Sequence, residues 1–206
     1  EHLFLTFCFL ILINGSNFID GLNGLNLGYF LLTFLIVLLL DYNGDIYIEQ
    51  NKALLLVIPI IFLLILNFFN YLYLGDSGAY LIGFLTGIFL LEVNYTNLHI
   101  SPYFIAMLLW YPAFENFFSI SRKILKKFDP VLPDIFHLHQ LIFKYVKSRK
   151  FQLNIYANQI STAIILSYNF AIFLVSLNYY DNTKFLLLLI TINIFIYLTT
   201  YFVLKK

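Results

Sequence analysis

Seven stretches of this chain are apolar enough to lie in hydrocarbon, and that property decides what the rest can be. They run near Leu3–Ile13 (short for a span), Leu25–Leu40, Ala53–Leu66, Gly78–Val93, Pro102–Phe118, Ala157–Leu177 and Phe185–Val203. A helix crosses a bilayer with about 20 predominantly apolar residues. Turn-rich polar stretches such as 41–45 and 178–182 separate the runs. Only 11% of the residues are charged and 61% are hydrophobic, whereas soluble domains carry about 25% charged residues. The expectation is an all-α polytopic transmembrane bundle of about seven spans, one transmembrane domain over 1–206. A net charge of +1 on so few charges gives no basic surface for nucleic acid. The lone cysteine, Cys8, has no partner for an intramolecular disulfide and reads as a small lipid- or core-facing residue. No basic flank and no small-residue cleavage site mark the first run as a secretory signal. The chain opens with Glu1, which suggests a fragment incomplete at its N-terminus.

The basic residues orient the spans. Arg122, Lys123, Lys126, Lys127, Lys144, Lys147, Arg149 and Lys150 fall in one loop, 119–156, and Lys205 and Lys206 end the chain two spans later on the same side. Ten of the twelve Lys and Arg thus share one face, which the positive-inside rule makes cytoplasmic. Asp41, Asp45, Glu49 and Asp181 lie in short loops opposite. Counting spans back from the basic loop brings three polar islands to the cytoplasmic side: Asn17 to Gly24, Tyr73 to Gly78, and His137 to Gln140.

Polar groups at the ends of apolar spans are costly near hydrocarbon and mark candidate sites. In the first island Asn17, Asp20 and Asn23 are spaced by three, so a helical turn would project them from one face. An interhelical polar patch beside a Gly24–Gly28 packing motif is the structural alternative. The second island sets Asp76 before a long helix, where free N–H groups and the dipole suit phosphate oxygens and a carboxylate could hold Mg²⁺. Helix capping by Asp76 or Ser77 would explain the same residues. Gly83 and Gly87 read as packing positions. In the third island, Leu138, Leu141, Ile142, Tyr145 and Val146 form an apolar stripe opposite Gln140, Lys144 and Lys147. This amphipathic helix would lie on the membrane or the bundle, where its basic residues would also attract anionic lipid. His137 and His139 can share a site only if that helix begins in an extended or turning segment.

Taken in order, these segments resemble the polyprenyl-phosphate N-acetylhexosamine-1-phosphate transferases, the MraY/WecA type of glycosyltransferase family 4. The resemblance rests on Asn17–Leu25 (N-x-x-D-G-x-D/N-G-L), on Leu74–Gly83 (G-D-x-G-x-x-x-x-G), and on Pro112-Ala113-Phe114-Glu115 leading to Arg122-Lys123. It continues through Leu132-Pro133-Asp134-Ile135-Phe136-His137-Leu138-His139-Gln140-Leu141. It implies transfer of a sugar-1-phosphate from a UDP-sugar to undecaprenyl or another polyprenyl phosphate. UMP would be released, priming a cell-surface glycan such as a cell-wall polymer or lipopolysaccharide. The implied setting is a bacterial plasma membrane, multi-pass, with the active site facing the cytoplasm.

By that resemblance Asp76 is a Mg²⁺ ligand (Mn²⁺ could substitute), and Asp20, His137 and His139 join it as catalytic candidates. Asn17, Asn23, Gly75, Arg122 and Lys123 would bind substrate. The implied partners are UDP-sugar, polyprenyl phosphate and the lipid bilayer, with a homodimer compatible and no nucleic acid. Two departures qualify this. Asn23 stands where many members have aspartate, and no Asp-Asp pair occurs anywhere, although members carry one in an earlier loop. The chain by itself is therefore expected to be inactive. The main rival is part of a polytopic transporter with half-helix ion sites, which would show paired internal repeats that this sequence lacks. A CDP-alcohol phosphotransferase would need Asp-Gly-x-x-Ala-Arg, but Asp20-Gly21 continues Leu-Asn-Gly-Leu.

Overall fold

The computed structural model describes residues 2–127, 136–148 and 156–205. The expected residues Leu132, Pro133, Asp134, Ile135, Arg149, Lys150 and Lys206 lie outside them. Among the described residues the chain is helical throughout: α1 (His2–Ile19), α2 (Leu25–Tyr42), α3 (Gln50–Phe68), α4 (Gly75–Thr96), α5 (Pro102–Leu108), α6 (Trp110–Leu125), α7 (Leu138–Ser148), α8 (Ala157–Leu177) and α9 (Thr183–Lys205). Six of these, α1 to α4, α8 and α9, are long and apolar enough to cross a membrane.

The fifth expected run, 102–118, forms two helices that stop and restart at Leu109. Pro112 is the cause. It has no N–H to give Leu108, four residues back, and its ring crowds that carbonyl. In hydrocarbon a freed carbonyl must find another donor. Here the buried Tyr29 hydroxyl of α2 donates to Leu108 O at 2.9 Å, and Thr33 Oγ1 approaches the same oxygen at 3.4 Å. The break redirects α6 along α1, the helix against which it packs most closely.

α2 is the most enclosed helix, touching α1, α3, α4 and α8. Tyr29 meets Phe30, Tyr111 and Phe173, and Phe34 meets Phe89, in edge-on and tilted ring contacts at 4.9–5.9 Å. Lipid is as apolar as these side chains, so close packing and interhelical hydrogen bonds, about 0.6 kcal/mol each on average, hold such a bundle. Ser16 Oγ donates to Ala79 O (2.6 Å), Asn26 Nδ2 to Ser16 O (2.7 Å), and Trp110 Nε1 to Asn169 Oδ1 (3.0 Å). Gly83 faces Ser16 and Gly87 faces Phe9 and Leu12, the packing role read from their spacing.

The connecting segments separate into two groups. At one end Asn97 Oδ1 accepts from Tyr47 N (2.7 Å), His99 Nε2 meets Asp45 O (2.8 Å), and Ser101 N donates to Tyr180 O (3.0 Å). At the other end lie the turns after α1 and α3 and the segment entering α7. The three islands share that end.

Gly15 is the tightest point between α1 and α6, because a Cβ there would run into the backbone carbonyl of Pro112. Gly87 would meet only the tips of Phe9 and Leu12. Gly15→Ala should therefore destabilise the chain by about 1–3 kcal/mol, and Gly87→Ala by less. The midpoint of SDS unfolding in mixed micelles, followed by circular dichroism, measures both.

Candidate active site

The first island is the last turn of α1 and the bend that follows. The helix ends at Ile19, and Gly24, at φ +78°, supplies the left-handed conformation that starts α2. This corrects the expectation that Asn17, Asp20 and Asn23 project from one helical face, since the helix stops before it reaches Asn23. Asn17 Nδ2 donates to the Tyr80 hydroxyl of α4 at 3.2 Å. Asn23 turns the other way: its amide bonds Asn70, its backbone N–H donates to Asn158 Oδ1 (3.0 Å), and its carbonyl accepts from Thr162 (3.0 Å). Asn67 Oδ1 accepts the Gly24 N–H at 2.5 Å. The first bend is thus fastened to the α3–α4 turn and to α8 by amides. Asn67, Asn70 and Asn158 were not singled out in the sequence, where each reads as an ordinary polar residue near a helix end.

Asp20, between these anchors, faces Asp76. Burial first, and then the negative charge of Asp76, push the Asp20 carboxyl up to about 7. Asp76 is exposed in the first turn of α4, behind Gly75 at φ +69° with open space about it. The N-cap residue, Leu74, provides no side-chain cap. Two carboxylates near a helix N-terminus, one neutralised by the other, form a donor set short of positive charge. Among the described residues no group of three or more His, Cys, Asp or Glu converges to hold a metal ion.

The third island begins, as its pattern requires, outside a helix: His137 precedes α7 and His139 lies in its first turn. The two rings stack 5.6 Å apart at 13°, and Phe18 of the first island covers His137 at 5.2 Å. His139 is fully buried, and neither ring nitrogen has a hydrogen-bond partner. Burial drives its pKa down to about 4, against the pull of Glu115, so the imidazole is neutral at physiological pH. Its Nε2 stands over Gly21, where any Cβ would collide with it. α7 rests on α8 and α9, with Leu138, His139 and Leu141 buried.

Sequence reasoning quoted Glu115 but gave it no role. It is fully buried, with Oε1 2.9 Å from His137 Nδ1 and Oε2 accepting from the Tyr197 hydroxyl at 2.8 Å. The available signal was that Glu115 is the one acidic residue between Pro102 and Leu125. Arg122, buried on the same helix, donates to Phe136 O and to the Tyr201 hydroxyl (2.9 Å). Lys123 is buried beside it. Lys126, Lys144 and Lys205 place their ammonium groups 5.6 Å from the Phe136 ring, giving this end a basic rim.

Residues 1–94 match the sequence model of glycosyl transferase family 4. The undecaprenyl-phosphate alpha-N-acetylglucosaminyl 1-phosphate transferase of Escherichia coli K12 is 30% identical over 138 residues, 64% of this chain and 38% of that protein. A decaprenyl-phosphate N-acetylglucosaminephosphotransferase of Mycolicibacterium smegmatis is 28% identical over 160 residues, 68% of this chain and 39% of that protein. The matches thus span about two fifths of the length of these relatives. No solved structure matches. The resemblance drawn from the polar islands therefore stands, with residues 1–94 matching the glycosyl transferase family 4 model.

Proposed function

We propose that this chain forms part of a membrane enzyme that moves a sugar-1-phosphate, of the N-acetylglucosamine class, from a UDP-sugar to a polyprenyl phosphate. An oxygen of the lipid phosphate attacks the sugar-bearing phosphorus, and the anhydride bond to UMP breaks. The observation that carries this reading is the meeting of Asp20, Asp76 and the stacked His137–His139 pair at one end of an apolar bundle. Both substrates suit that position: the lipid reaches it sideways through the bilayer and the nucleotide from water. The positive-inside rule puts it on the cytoplasmic side. The names of the two relatives support the same acceptor class. No internal repeat supports the transporter alternative.

Asp76, with Asp20 beside it, would hold Mg²⁺, which binds through one or two carboxylates plus substrate phosphates. The raised Asp20 carboxyl marks a place where a cation would relieve like-charge repulsion. Bound there, the ion would act as a Lewis acid on the diphosphate. The chain's own part is to place ligands. The N–H groups of the first α4 turn, which have no side-chain cap, would bind phosphate oxygens. His139, neutral and unpartnered, offers a hydrogen bond to the donor sugar or its phosphates. Asn17, bonded to Tyr80, would contact substrate beside Asp20, and Asn23 fastens the bend.

Membranes from cells expressing the gene that encodes this chain, given radiolabelled UDP-N-acetylglucosamine, undecaprenyl phosphate and Mg²⁺, should carry label into the organic phase and release UMP. Label that stays wholly aqueous rejects the lipid acceptor. Asp76→Asn should lower turnover roughly 100-fold, equivalent to about 2.7 kcal/mol of transition-state stabilisation.

A second measurement needs no turnover. A cation at Asp20 must displace the proton that Asp20 holds below about pH 7. Mn²⁺ affinity of the purified chain, read by electron paramagnetic resonance, should weaken as pH falls through 7, by up to about tenfold per unit. Because folding raises this carboxyl, the metal-free fold keeps the associated stability at low pH and loses it as pH rises through 7. Asp20→Asn should flatten both dependences.

A further inference from the structure

The entry to α7 is held at three consecutive residues by two side chains of α6, and both side chains are held in turn by α9. Arg122 donates to the carbonyl oxygen of Phe136. Glu115 Oε1 meets Nδ1 of His137 at 2.9 Å and accepts the N–H of Leu138, the first residue of α7, at 3.4 Å. Glu115 Oε2 accepts from the Tyr197 hydroxyl at 2.8 Å, and the Tyr201 hydroxyl accepts from Arg122 at 2.9 Å. Tyr197 and Tyr201 lie one helical turn apart on α9, with their rings parallel within 5°. They pack edge-on against Phe118, at 5.5 and 4.7 Å. All four side chains are buried, Glu115 and Tyr201 completely.

We infer that Glu115, Arg122, Tyr197 and Tyr201 form a positioning clamp that fixes the ring orientation and tautomer of His137 for the transfer reaction. The inference rests on the reading given under Proposed function. A carboxylate facing Nδ1 accepts a hydrogen bond from it, so the ring carries a proton on that nitrogen. A neutral histidine without such a partner exchanges between tautomers. The same carboxylate lies at the N-terminus of α7, where the dipole favours negative charge. Each oxygen of Glu115 has a different helix to answer to, so the carboxylate cannot rotate without losing a bond. Arg122 stops the Phe136 peptide from turning, which would carry His137 off its stack with His139. None of the four needs to touch substrate. The last helix, which contains no polar island, enters the site through two hydroxyls.

The test is nitrogen-15 NMR of histidine-labelled chain in lipid nanodiscs, with His137→Asn assigning the signal. In the unaltered protein His137 should be a single Nδ1-protonated species. Glu115→Gln keeps an acceptor oxygen of the same reach and should retain that tautomer. Glu115→Met, similar in size but without an acceptor, should let His137 redistribute toward Nε2–H. A Glu115→Met protein in which His137 stays wholly Nδ1-protonated overturns the clamp.

If circular dichroism shows Glu115→Met unfolded, Tyr197→Phe decides, since it keeps the ring packing and deletes only the hydroxyl. A broadened or doubled His137 signal supports the clamp, and an unchanged one overturns it. In the membrane assay, Glu115→Met should lower kcat by about 10–100-fold, the usual loss when a group orienting a functional histidine is removed. The KM for UDP-sugar should move less than about twofold, with partial recovery in Glu115→Gln. Absence of transfer by the unaltered protein would reject the reaction while leaving the tautomer result to judge the clamp.

Discussion

One missing hydrogen bond donor sets the course of the bundle. Pro112 cannot close the bond that Leu108 O would otherwise receive, and a bare carbonyl is expensive in hydrocarbon. Tyr29, fully buried on α2, supplies the replacement and also lies near the Tyr111 N–H at 3.4 Å. One hydroxyl thereby stabilises both sides of the break. On the two sides of the break, α5 meets α9 and α6 lies along α1. The close approach of Gly15 to the Pro112 carbonyl follows from the same bend. So does the placement of Glu115 and Arg122 beside the segment entering α7.

The site end then collects groups that each oppose burial in a different way. Asp20 responds to burial and to Asp76 by holding its proton to about pH 7. His139 responds by refusing one, with a pKa near 4. Glu115 is instead surrounded by donors, from His137, Leu138 and Tyr197. A buried polar atom with no partner is costly, on the order of 1–3 kcal/mol. The two unpartnered nitrogens of His139 therefore stand out from the well-satisfied amides that fasten the first bend. Among the described residues, single oxygens of Asn26, Tyr111, Asn116 and Gln159 are also buried without a partner, but His139 alone lacks one at two polar atoms.

Much of this was legible in the sequence, and the parts that were not have identifiable reasons. Apolar length located the six long helices, and counting spans from the basic loop put the three islands at one end. Composition survives any local error, so that reading was robust. Three-residue spacing misled for Asn23, because α1 ends at Ile19 and a turn residue follows no helical period. The split at Leu109 depended on a proline whose effect is decided by a partner, Tyr29, eighty residues away in sequence. Glu115 was visible as a lone acid in an apolar run. Its meaning required knowing that α9 returns beside α6, which no local pattern records.

α9 makes the point about where site information resides. Its sequence is mostly Leu, Ile and Phe with scattered Thr and Tyr, and Asn193 is the one amide within the span. Tyrosine in a span is usually sought at the interfaces, where its hydroxyl meets water. Tyr197 and Tyr201 instead lie within 2% of complete burial, where a hydroxyl persists only with a partner. Their i, i+4 spacing puts both on one face, and that face meets one carboxylate and one guanidinium on α6, themselves seven residues, about two turns, apart. Two helices with such polar pairs cannot slide past each other by a turn without breaking both hydrogen bonds. The register of the last helix is therefore specified by polar groups in a bundle whose apolar surface alone would tolerate several registers, and the histidine segment inherits that register.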